Sequence, residues 1–385
     1  MRWDFVSIQQ NDNMVEIRQV NTKKEIRDFL KFTETHYKDN PYYIPELYMD
    51  NKKMFKKNYM YFDQAETVFF NAYKDNKMVG RIQGIIQRVS NEKHNEKRVR
   101  FTRFEVIDDQ EVANKLFDAV CDWGKEKGMN QIVGPLGFSD LDREGLLIEG
   151  FDQLATFEEA YSYDYYPKLL ENYGFTKEVD WVERRLFPPK EINPRFERFQ
   201  EVIMKRYNLH YGKAKNTREF IKKYGDKIFE IIDETYKDIY GTVPFTKGMK
   251  DLMISNFKLI IDMRFVSVIC DENEKVVCFA ISFPSIGEAV QKSKGHLTIP
   301  CIIRILKAVK HPKAVDLGLI GVLPEYESKG VSTIFIGELQ KQLKNYNLEY
   351  AETLNNLEDN YKIINCWKNF DHIQHKRRRA YVKNI

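Results

Sequence analysis

Residues 317–339, LGLIGVLPEYESKGVSTIFIGEL, place the strongest constraint on the fold of this chain. The segment begins with an apolar run that predicts a buried strand, and Pro324 ends that strand. A short polar turn follows, after which Ile336, Leu339 and Leu343 recur at the spacing of an amphipathic helix. A strand that enters a helix through a tight turn leaves backbone N–H groups unpaired at the helix start. Together with the helix dipole, those groups predict a site for an anion such as a diphosphate.

The loop between this strand and helix resembles the coenzyme A loop of the GNAT acyltransferase superfamily. The usual pattern of that family is Gln/Arg-x-x-Gly-x-Gly/Ala after a strand that ends in Val-x-Pro. Val322, Pro324 and Gly330 match it, whereas Glu327 at the first position puts a carboxylate near a polyanion, and Ser332 at the last position is small enough to fit. The resemblance implies acetyl-CoA or another acyl-CoA as cosubstrate. The residues implied to bind it are Ile320, Gly321, Val322, Ser328, Lys329, Gly330, Val331 and Ser332, with Asn360 at the start of a later helix. The alternative is an ordinary strand–turn–helix corner that contains a glycine.

The overall charge of the chain does not indicate a nucleic-acid partner. The sequence has 61 Lys and Arg against 57 Asp and Glu, for a net charge of +4. The local run at 375–379, HKRRR, is interpreted as a solvated terminal face rather than a nucleic-acid patch. The five cysteines form no CxxC pair, and no signal peptide or membrane-length apolar run occurs. We therefore expect a reduced, cytoplasmic setting with no membrane partner, and the oligomeric state stays open.

The order of predicted elements runs through the chain twice, and its 385 residues suit two domains. We expect a loose extension over residues 1–13, an N-terminal GNAT-like domain over 14–190 and a C-terminal GNAT-like domain over 195–385, with a linker near Pro188 to Pro194. The predicted fold class is α/β (α+β), with two mixed, mostly antiparallel sheets flanked by helices. A ferredoxin-like or doubly wound sheet would show a similar alternation, but the hairpin before the loop favours a mixed sheet in each domain.

Over nearly its whole length the chain is similar to a bacterial family of tandem GNAT-like proteins described as N-acetyltransferases. The stretches that carry this likeness include FEVIDDQEVANKLFDAVCDWGKEKGMNQIVGPLG, LLIEGFD, YYPKLLENYGF and LEDN. Asp108 and Glu111 are predicted to form a capping box before the helix in the first of these stretches.

The resemblance implies that an amine and an acyl thioester meet in one cleft. The N–H of Ile320, Gly321 or Val322 would polarise the thioester carbonyl. Asp316 and Glu352 are the candidate general bases, and the alternative for each is a surface carboxylate or an ion-pair partner.

The proton donor to the departing thiolate is often a Tyr in this family. Counted from Asn360, its position falls near Trp367, and Trp cannot supply that proton. Tyr361 and Cys366 are nearby but do not stand at the matching position. Solvent could protonate the thiolate instead.

The first half has no phosphate-cradling turn, because Asp108 and Asp109 at its helix start would repel a diphosphate. Its role is predicted to be structural, or to supply one wall of an acceptor cleft. The long loop at 134–152 carries three acids that could meet a cationic amine, or could simply be solvated: Asp140, Asp142 and Glu144. His372 and His375 have helical spacing for a metal but no accompanying third ligand, so no metal is expected.

The leading interpretation is an acyl-CoA-dependent N-acyltransferase of the N-acetyltransferase type, with one acyl-CoA site in the second half. It would act on a primary amine of a small molecule or peptide. The alternative is a catalytically inactive GNAT-fold binding or scaffold protein, which Glu327 and Trp367 favour. A third hypothesis is transfer from aminoacyl-tRNA, which would need an exposed basic surface.

Overall fold

The computed structural model describes residues 14–385, so the extension predicted for residues 1–13 lies outside the described part. We call residues 14–190 the first half and residues 195–385 the second half. The strands of the first half are β1 (Glu16–Gln19), β2 (Ala65–Lys74), β3 (Lys77–Gln87), β4 (Arg98–Val106), β5 (Gln131–Gly134), β6 (Leu146–Glu149) and β7 (Thr176–Leu186). Those of the second half are β8 (His210–Tyr211), β9 (Val266–Cys270), β10 (Val276–Pro284), β11 (Ala314–Val322), β12 (Tyr350–Thr353), β13 (Asn356–Leu357) and β14 (His372–Asn384).

Helices separate these strands in both halves. Those of the first half are α1 (Lys23–His36), α2 (Tyr48–Lys53), α3 (Arg88–His94), α4 (Gln110–Glu126) and α5 (Tyr166–Tyr173). Those of the second half are α6 (Pro194–Arg206), α7 (Thr217–Thr235), α8 (Lys247–Phe257), α9 (Gly287–Gln291), α10 (Ile299–Lys310), α11 (Pro324–Glu327), α12 (Ser332–Asn345) and α13 (Tyr361–Trp367). Short 3-10 turns lie at Met60–Asp63 and Met263–Phe265.

All of these strands belong to one continuous, mostly antiparallel sheet. Its order is β1-β2-β3-β4-β5-β14-β7-β12-β11-β10-β9-β8, with β6 beside β14 and β13 beside β7. Each half contains one parallel pair, β4 with β5 and β11 with β12, so the two halves repeat one plan. The mixed, mostly antiparallel α/β architecture predicted from the sequence is confirmed.

The prediction of two separate sheets is wrong, because the halves exchange their last strands. The strand β14 of the second half pairs with β5 of the first, and β7 of the first half pairs with β12 of the second. The two exchanged strands also pair with each other over most of their length. The join between the halves is therefore a backbone ladder in the middle of one sheet.

Charged side chains are buried along this join. Lys376 and Arg378 of β14 are almost fully buried, and both form ion pairs with Glu183 of β7. Beside them, Arg377 and Arg379 pair with Asp180. The basic run predicted to be a solvated terminal face is instead a central strand whose charges are matched by acids. The sequence hid this because a basic run at a chain end is usually solvated.

The helices follow the predicted amphipathic pattern and cover the sheet. Helix α4 buries an apolar stripe that includes Leu116 and Phe117 against the first half's strands. Its cap is Asp109, whose side chain accepts from the N–H groups of Glu111 and Val112. The capping box predicted from Asp108 and Glu111 is therefore wrong, because with Asp109 as the cap the third helical residue is Val112, whose side chain cannot return the bond. Between residues 14 and 385, no helix combines the length and apolar content that a membrane crossing requires.

Candidate active site

Strand β11 diverges from its parallel neighbour, β12. The pairing of β11 with β12 covers only Ala314 to Leu317, opposite Tyr350 to Thr353. Strand β11 then continues to Val322 along β10 alone. Its last residues therefore present an edge of backbone groups to the space between the strands.

Tyr236 bonds to this open edge. Its hydroxyl donates to the carbonyl of Ile320 at 2.9 Å and accepts from the N–H of Ile320 at 3.3 Å. On the opposite edge, the N–H of Leu323 donates to Val277 of β10. Because successive residues of a strand direct their backbone groups to alternate sides, Val322 shares the open edge with Ile320, whereas Gly321 belongs to the β10 ladder. Of the three amides predicted to polarise a thioester, two face the opening.

The loop after β11 contains a short helix, α11, where the sequence predicted a tight turn. The amide of Lys329 is bonded to the carbonyl of Tyr326. In the described part of the chain, the amides of Gly330, Val331 and Ser332 make no backbone hydrogen bond. They lie at the start of α12, whose N-terminus has no side-chain cap. Gly330 has φ +75°, a conformation that favours glycine and that lets the chain turn into α12.

Glu327 is paired with a cation, but not with Lys329. Its Oε2 lies 2.8 Å from Nζ of Lys362 on α13. Lys329 Nζ instead lies 4.0 Å from the ring centre of Tyr326 and 5.1 Å from that of Tyr207. The carboxylate that departs from the family pattern is thus partly neutralised.

On and beside α13, the residues that the sequence analysis considered for coenzyme A binding and proton donation make contacts within the protein. The side chain of Asn360 caps α13 by accepting from the N–H of Ile363 at 3.3 Å. Trp367 is buried, and its Nε1 donates to Oδ1 of Asn356 at 2.8 Å. Tyr361 is exposed, and Cys366 Sγ contacts the carbonyl of Lys362 in its own helix. Asn360, Cys366 and Trp367 nevertheless line one wall of a large cavity.

This cavity has a volume of about 810 Å³ and lies between the two halves. Its wall includes Leu317 to Ile320 of β11 and Ser332, the first residue of α12. Most of its wall is apolar, as in ligand pockets generally. The apolar lining from the second half includes Met253, Phe257, Ile260, Phe283, Val290, Ile305, Leu319, Phe335 and Leu339.

The wall from the first half carries a cluster of acids. The predicted Asp140, Asp142 and Glu144 all line the cavity, and Glu158 and Glu159 join them from the segment before α5. Oε1 of Glu144 and Oε2 of Glu158 are buried and have no hydrogen-bond partner within residues 14–385. Burying such oxygens costs free energy unless a donor or cation meets them.

Burial shifts the protonation of this acid wall. Burial raises the pKa of Asp140 to about 6, that of Glu158 to about 7 and that of Glu159 to about 8. The pKa of Glu144 is raised well above its usual value by burial and by the nearby Asp140, against the opposing charge of Arg100. A carboxyl group with a pKa near 7 can exchange a proton at neutral pH.

The two general bases predicted from the sequence lie in the neighbouring ion cluster and do not line the cavity. Glu352 pairs with Arg185, His375 and Lys376, at 3.0, 2.5 and 3.0 Å respectively. Burial opposes ionisation of Glu352, but Lys376, the contact with His375 and the charge of Arg185 hold its pKa at about 2. Burial and the nearby carboxylates raise the pKa of Asp316 well above its usual value. A carboxylate with such a low pKa is a weak base, and Asp316 is absent from the cavity wall.

The equivalent opening in the first half is filled. Strand β4 pairs with β5 only from Arg98 to Arg100, but the hydroxyl of Tyr166 accepts from the N–H of Val106 at 2.9 Å. The hydroxyl of Tyr165 donates to the carbonyl of the same residue at 2.7 Å. In the first half two aromatic side chains thus occupy this edge at Val106, whereas in the second half the single hydroxyl of Tyr236 bonds to Ile320.

The structure also groups one trio of possible metal ligands that the sequence analysis did not select. His210, Cys270 and Glu274 have ligand atoms within 4.8 Å of one another near β8, at the far end of the sheet. The two histidines considered as metal ligands in the sequence analysis have different partners. His372 contacts the carbonyl of Phe370, and His375 pairs with Glu352.

Sequence reasoning missed Tyr236, Glu158 and Glu159. Tyr236 follows an amphipathic helix, where a tyrosine usually belongs to the core. The Glu pair lies in an irregular segment, TFEEAYSYD, without a recognisable motif. Tyr236 reaches β11 within the second half, because α7 packs on that strand. The Glu pair belongs to the first half, so the strand exchange, which sets the halves against each other, places it on the wall of the same cavity.

Comparison with known proteins supports the fold. No family model matches the sequence. Among curated proteins, the chain is similar to protein YghO of Escherichia coli strain K12, with 24% identity over 386 residues, covering 96% of this chain and 95% of that protein. It is also 26% identical over 320 residues to a bacterial ceramide synthase of Caulobacter vibrioides, covering 80% of each chain.

Two solved structures show the same architecture at 10% identity. One is a tandem GNAT protein from the clavulanic acid biosynthesis pathway, with a TM-score of 0.53 over 96% of this chain and 98% of that one. The other is a fungal β-N-acetylglucosaminidase with a GCN5-related glucosamine N-acetyltransferase region, with a TM-score of 0.55 over 96% of this chain and 38% of that one. The chain therefore has the fold of the GNAT superfamily, as the resemblance in its sequence implied.

Proposed function

We propose that the protein is an acyl-CoA-dependent N-acyltransferase that joins a long acyl chain to the primary amine of a long-chain, sphingoid-type base. The observation that carries this proposal is the cavity of about 810 Å³, which combines an apolar lining, unpartnered buried carboxylates and an open strand edge. An apolar chain fits the lining, an ammonium group fits the acids and a thioester fits the edge.

On the acyl side, the free amides of Gly330, Val331 and Ser332 support binding of the coenzyme A diphosphate. The thioester would lie along the open edge of β11, where the N–H of Ile320 or Val322 stabilises the oxyanion. The acyl chain would then extend over Phe283 and its apolar neighbours. Binding at Ile320 requires Tyr236 to release its backbone bonds, which leaves its hydroxyl beside the thioester.

On the acceptor side, an ammonium group would meet Glu144 and Glu158. Glu158 in its carboxylate form takes one proton from the ammonium group. The neutral nitrogen attacks the thioester carbon, so a C–N bond forms and the C–S bond breaks. The thiolate takes a proton from Tyr236, which regains one from the amide nitrogen as the intermediate collapses. The sum is thioester plus ammonium giving amide, thiol and one released proton.

The ceramide synthase of Caulobacter vibrioides supports this choice of substrate, because a ceramide is an N-acylated sphingoid base. The pairing of Glu327 with Lys362 weakens the argument for an inactive scaffold, because a paired carboxylate repels a diphosphate less. The hydroxyl of Tyr236 would also supply the proton that Trp367 cannot. The same geometry supports one acyl-CoA site, in the second half.

The first prediction concerns turnover and the diphosphate site. With palmitoyl-CoA and sphinganine, wild-type protein should release thiol and form N-acyl product, with acetyl-CoA a poorer donor. Gly330→Glu should lower kcat/KM for palmitoyl-CoA by about tenfold, through charge repulsion and strain. Gly128→Glu is the matched control, because Gly128 is exposed with φ +79° but follows α4, and it should retain wild-type activity. Wild-type protein that neither binds acyl-CoA nor forms product would favour the scaffold alternative.

The second prediction concerns pH. Because the pKa of Glu158 is about 7, the wild-type rate should rise as pH increases through about 7 and then level off. Glu158→Gln should lose this limb and lower kcat by about 100-fold. Glu288→Gln, at an exposed position on α9, should leave the profile unchanged. If the rate of Glu158→Gln still rises with pH through about 7, the general base is another residue.

A stability measurement gives an independent check of the same group. A raised folded-state pKa stabilises the protein below the unfolded value and loses that contribution as pH rises through the folded value. Wild-type protein should therefore lose stability relative to Glu158→Gln between about pH 4.5 and 7. Denaturant unfolding at several pH values measures this difference.

The third prediction concerns Tyr236. Tyr236→Phe should lower kcat by about 100-fold with little change in KM, because it removes a proton donor. Burial raises the pKa of Tyr236 to about 12, so the hydroxyl keeps its proton at neutral pH. Tyr240→Phe is the control, since Tyr240 also lines the cavity but its hydroxyl lies near Glu178. Equal rates for the two variants would show that Tyr236 is not the proton donor.

A further inference from the structure

Helix α10 exposes an apolar stripe that no described part of the chain covers. Its exposed side chains recur three or four residues apart on one face: Ile299, Ile302, Ile303 and Leu306. Leu297, just before the helix, is exposed as well. The opposite face is anchored, because Cys301 and Ile305 are buried in the second half's core. The helix is thus apolar on both faces, but only the face with Cys301 and Ile305 packs against the rest of the described chain.

The segment that carries this stripe is cationic. From Ala289 to Val315 the sequence has six Lys and Arg and no Asp or Glu. Lys307 and Lys310 lie on α10 itself and are exposed. Such a combination of exposed apolar side chains and unopposed lysines is typical of a helix that lies in the headgroup region of an anionic bilayer.

The stripe lies behind the cavity wall. Val290, Leu297 and Ile305 line the cavity, so the element that carries the stripe also encloses the cavity. A helix seated in the headgroup region would hold this wall at the bilayer surface, where long-chain amphiphiles are concentrated.

We propose that α10 docks this protein on the surface of an anionic phospholipid bilayer. Apolar side chains of the stripe insert among the acyl chains, and Lys307 and Lys310 meet lipid phosphates. The sequence contains no membrane-length apolar run and for that reason predicts no membrane partner, but a helix that lies on a bilayer surface does not require such a run. The proposal goes beyond the proposed function and does not depend on it, since docking requires neither acyl-CoA nor an amine.

The test is flotation of the full chain with vesicles of phosphatidylglycerol and phosphatidylcholine, without acyl-CoA. Wild-type protein should float with these vesicles, should float less with pure phosphatidylcholine, and should be released by about 0.5 M salt. Ile299→Glu with Ile303→Glu should lower the partition coefficient by about 100-fold. Lys307→Gln with Lys310→Gln should lower it by about fivefold for each lysine.

A matched control separates docking from a general effect of exposed apolar residues. Phe199 and Val202 on α6 are 54% and 60% exposed, and Phe199→Glu with Val202→Glu should leave flotation unchanged. Circular dichroism and the Tm should match wild type in every variant, because the substituted side chains are exposed.

Two results would overturn the proposal. The first is that wild-type protein does not float, or that it floats to the same extent as the double variant Ile299→Glu with Ile303→Glu. The other is a dimer in sedimentation velocity that this same variant converts to a monomer, which would assign the stripe to a second copy of the chain. Flotation of a protein without acyltransferase activity would support docking and reject the proposed function.

Discussion

The buried ion pairs between β7 and β14 are the interaction on which the rest of the structure depends. Glu183, Lys376 and Arg378 are removed from water at the centre of the sheet, and each charge is tolerable there only beside its partner. Removing one partner would leave an uncompensated buried charge, whose cost is about 3–5 kcal/mol. The pairs therefore favour the exchanged strand register over any arrangement that separates β14 from β7.

That register has a consequence for function, because it fixes the two halves against each other. The first half contributes the acid wall of the cavity, and the second half contributes the divergent strand and the start of α12. Tyr165 and Tyr166 close the equivalent edge of the first half at Val106. In the proposed function the two copies would have different roles, with the first half meeting an amine and the second half holding a thioester.

The sequence predicted the local elements well, because their signals are local. The apolar run before Pro324 and the glycine at 330 are enough to predict a strand, a turn and a helix. The acids at 140, 142 and 144 were identified as a possible amine site from their loop alone, and all three line the cavity. The strand exchange could not be predicted, since a basic terminal run such as HKRRR becomes a central strand only through distant partners. For the same reason, the sequence alone cannot decide whether Asp316 or Glu352 acts as a base, because burial and neighbouring charges determine their protonation.

The acceptor wall is the central claim, and calorimetry of a long-chain primary amine against an alcohol of equal chain length tests it most directly. Titrated into the full chain, the amine should bind at least about tenfold more tightly, because a charged hydrogen bond to a buried carboxylate contributes about 1.5–3 kcal/mol. At about pH 6, binding of the amine should also release protons, because Glu158 and Glu159 have pKa values of about 7 and 8 and must ionise to meet the ammonium group. The heat should then vary with the ionisation enthalpy of the buffer. Equal affinities for amine and alcohol, with no proton release, would contradict the account.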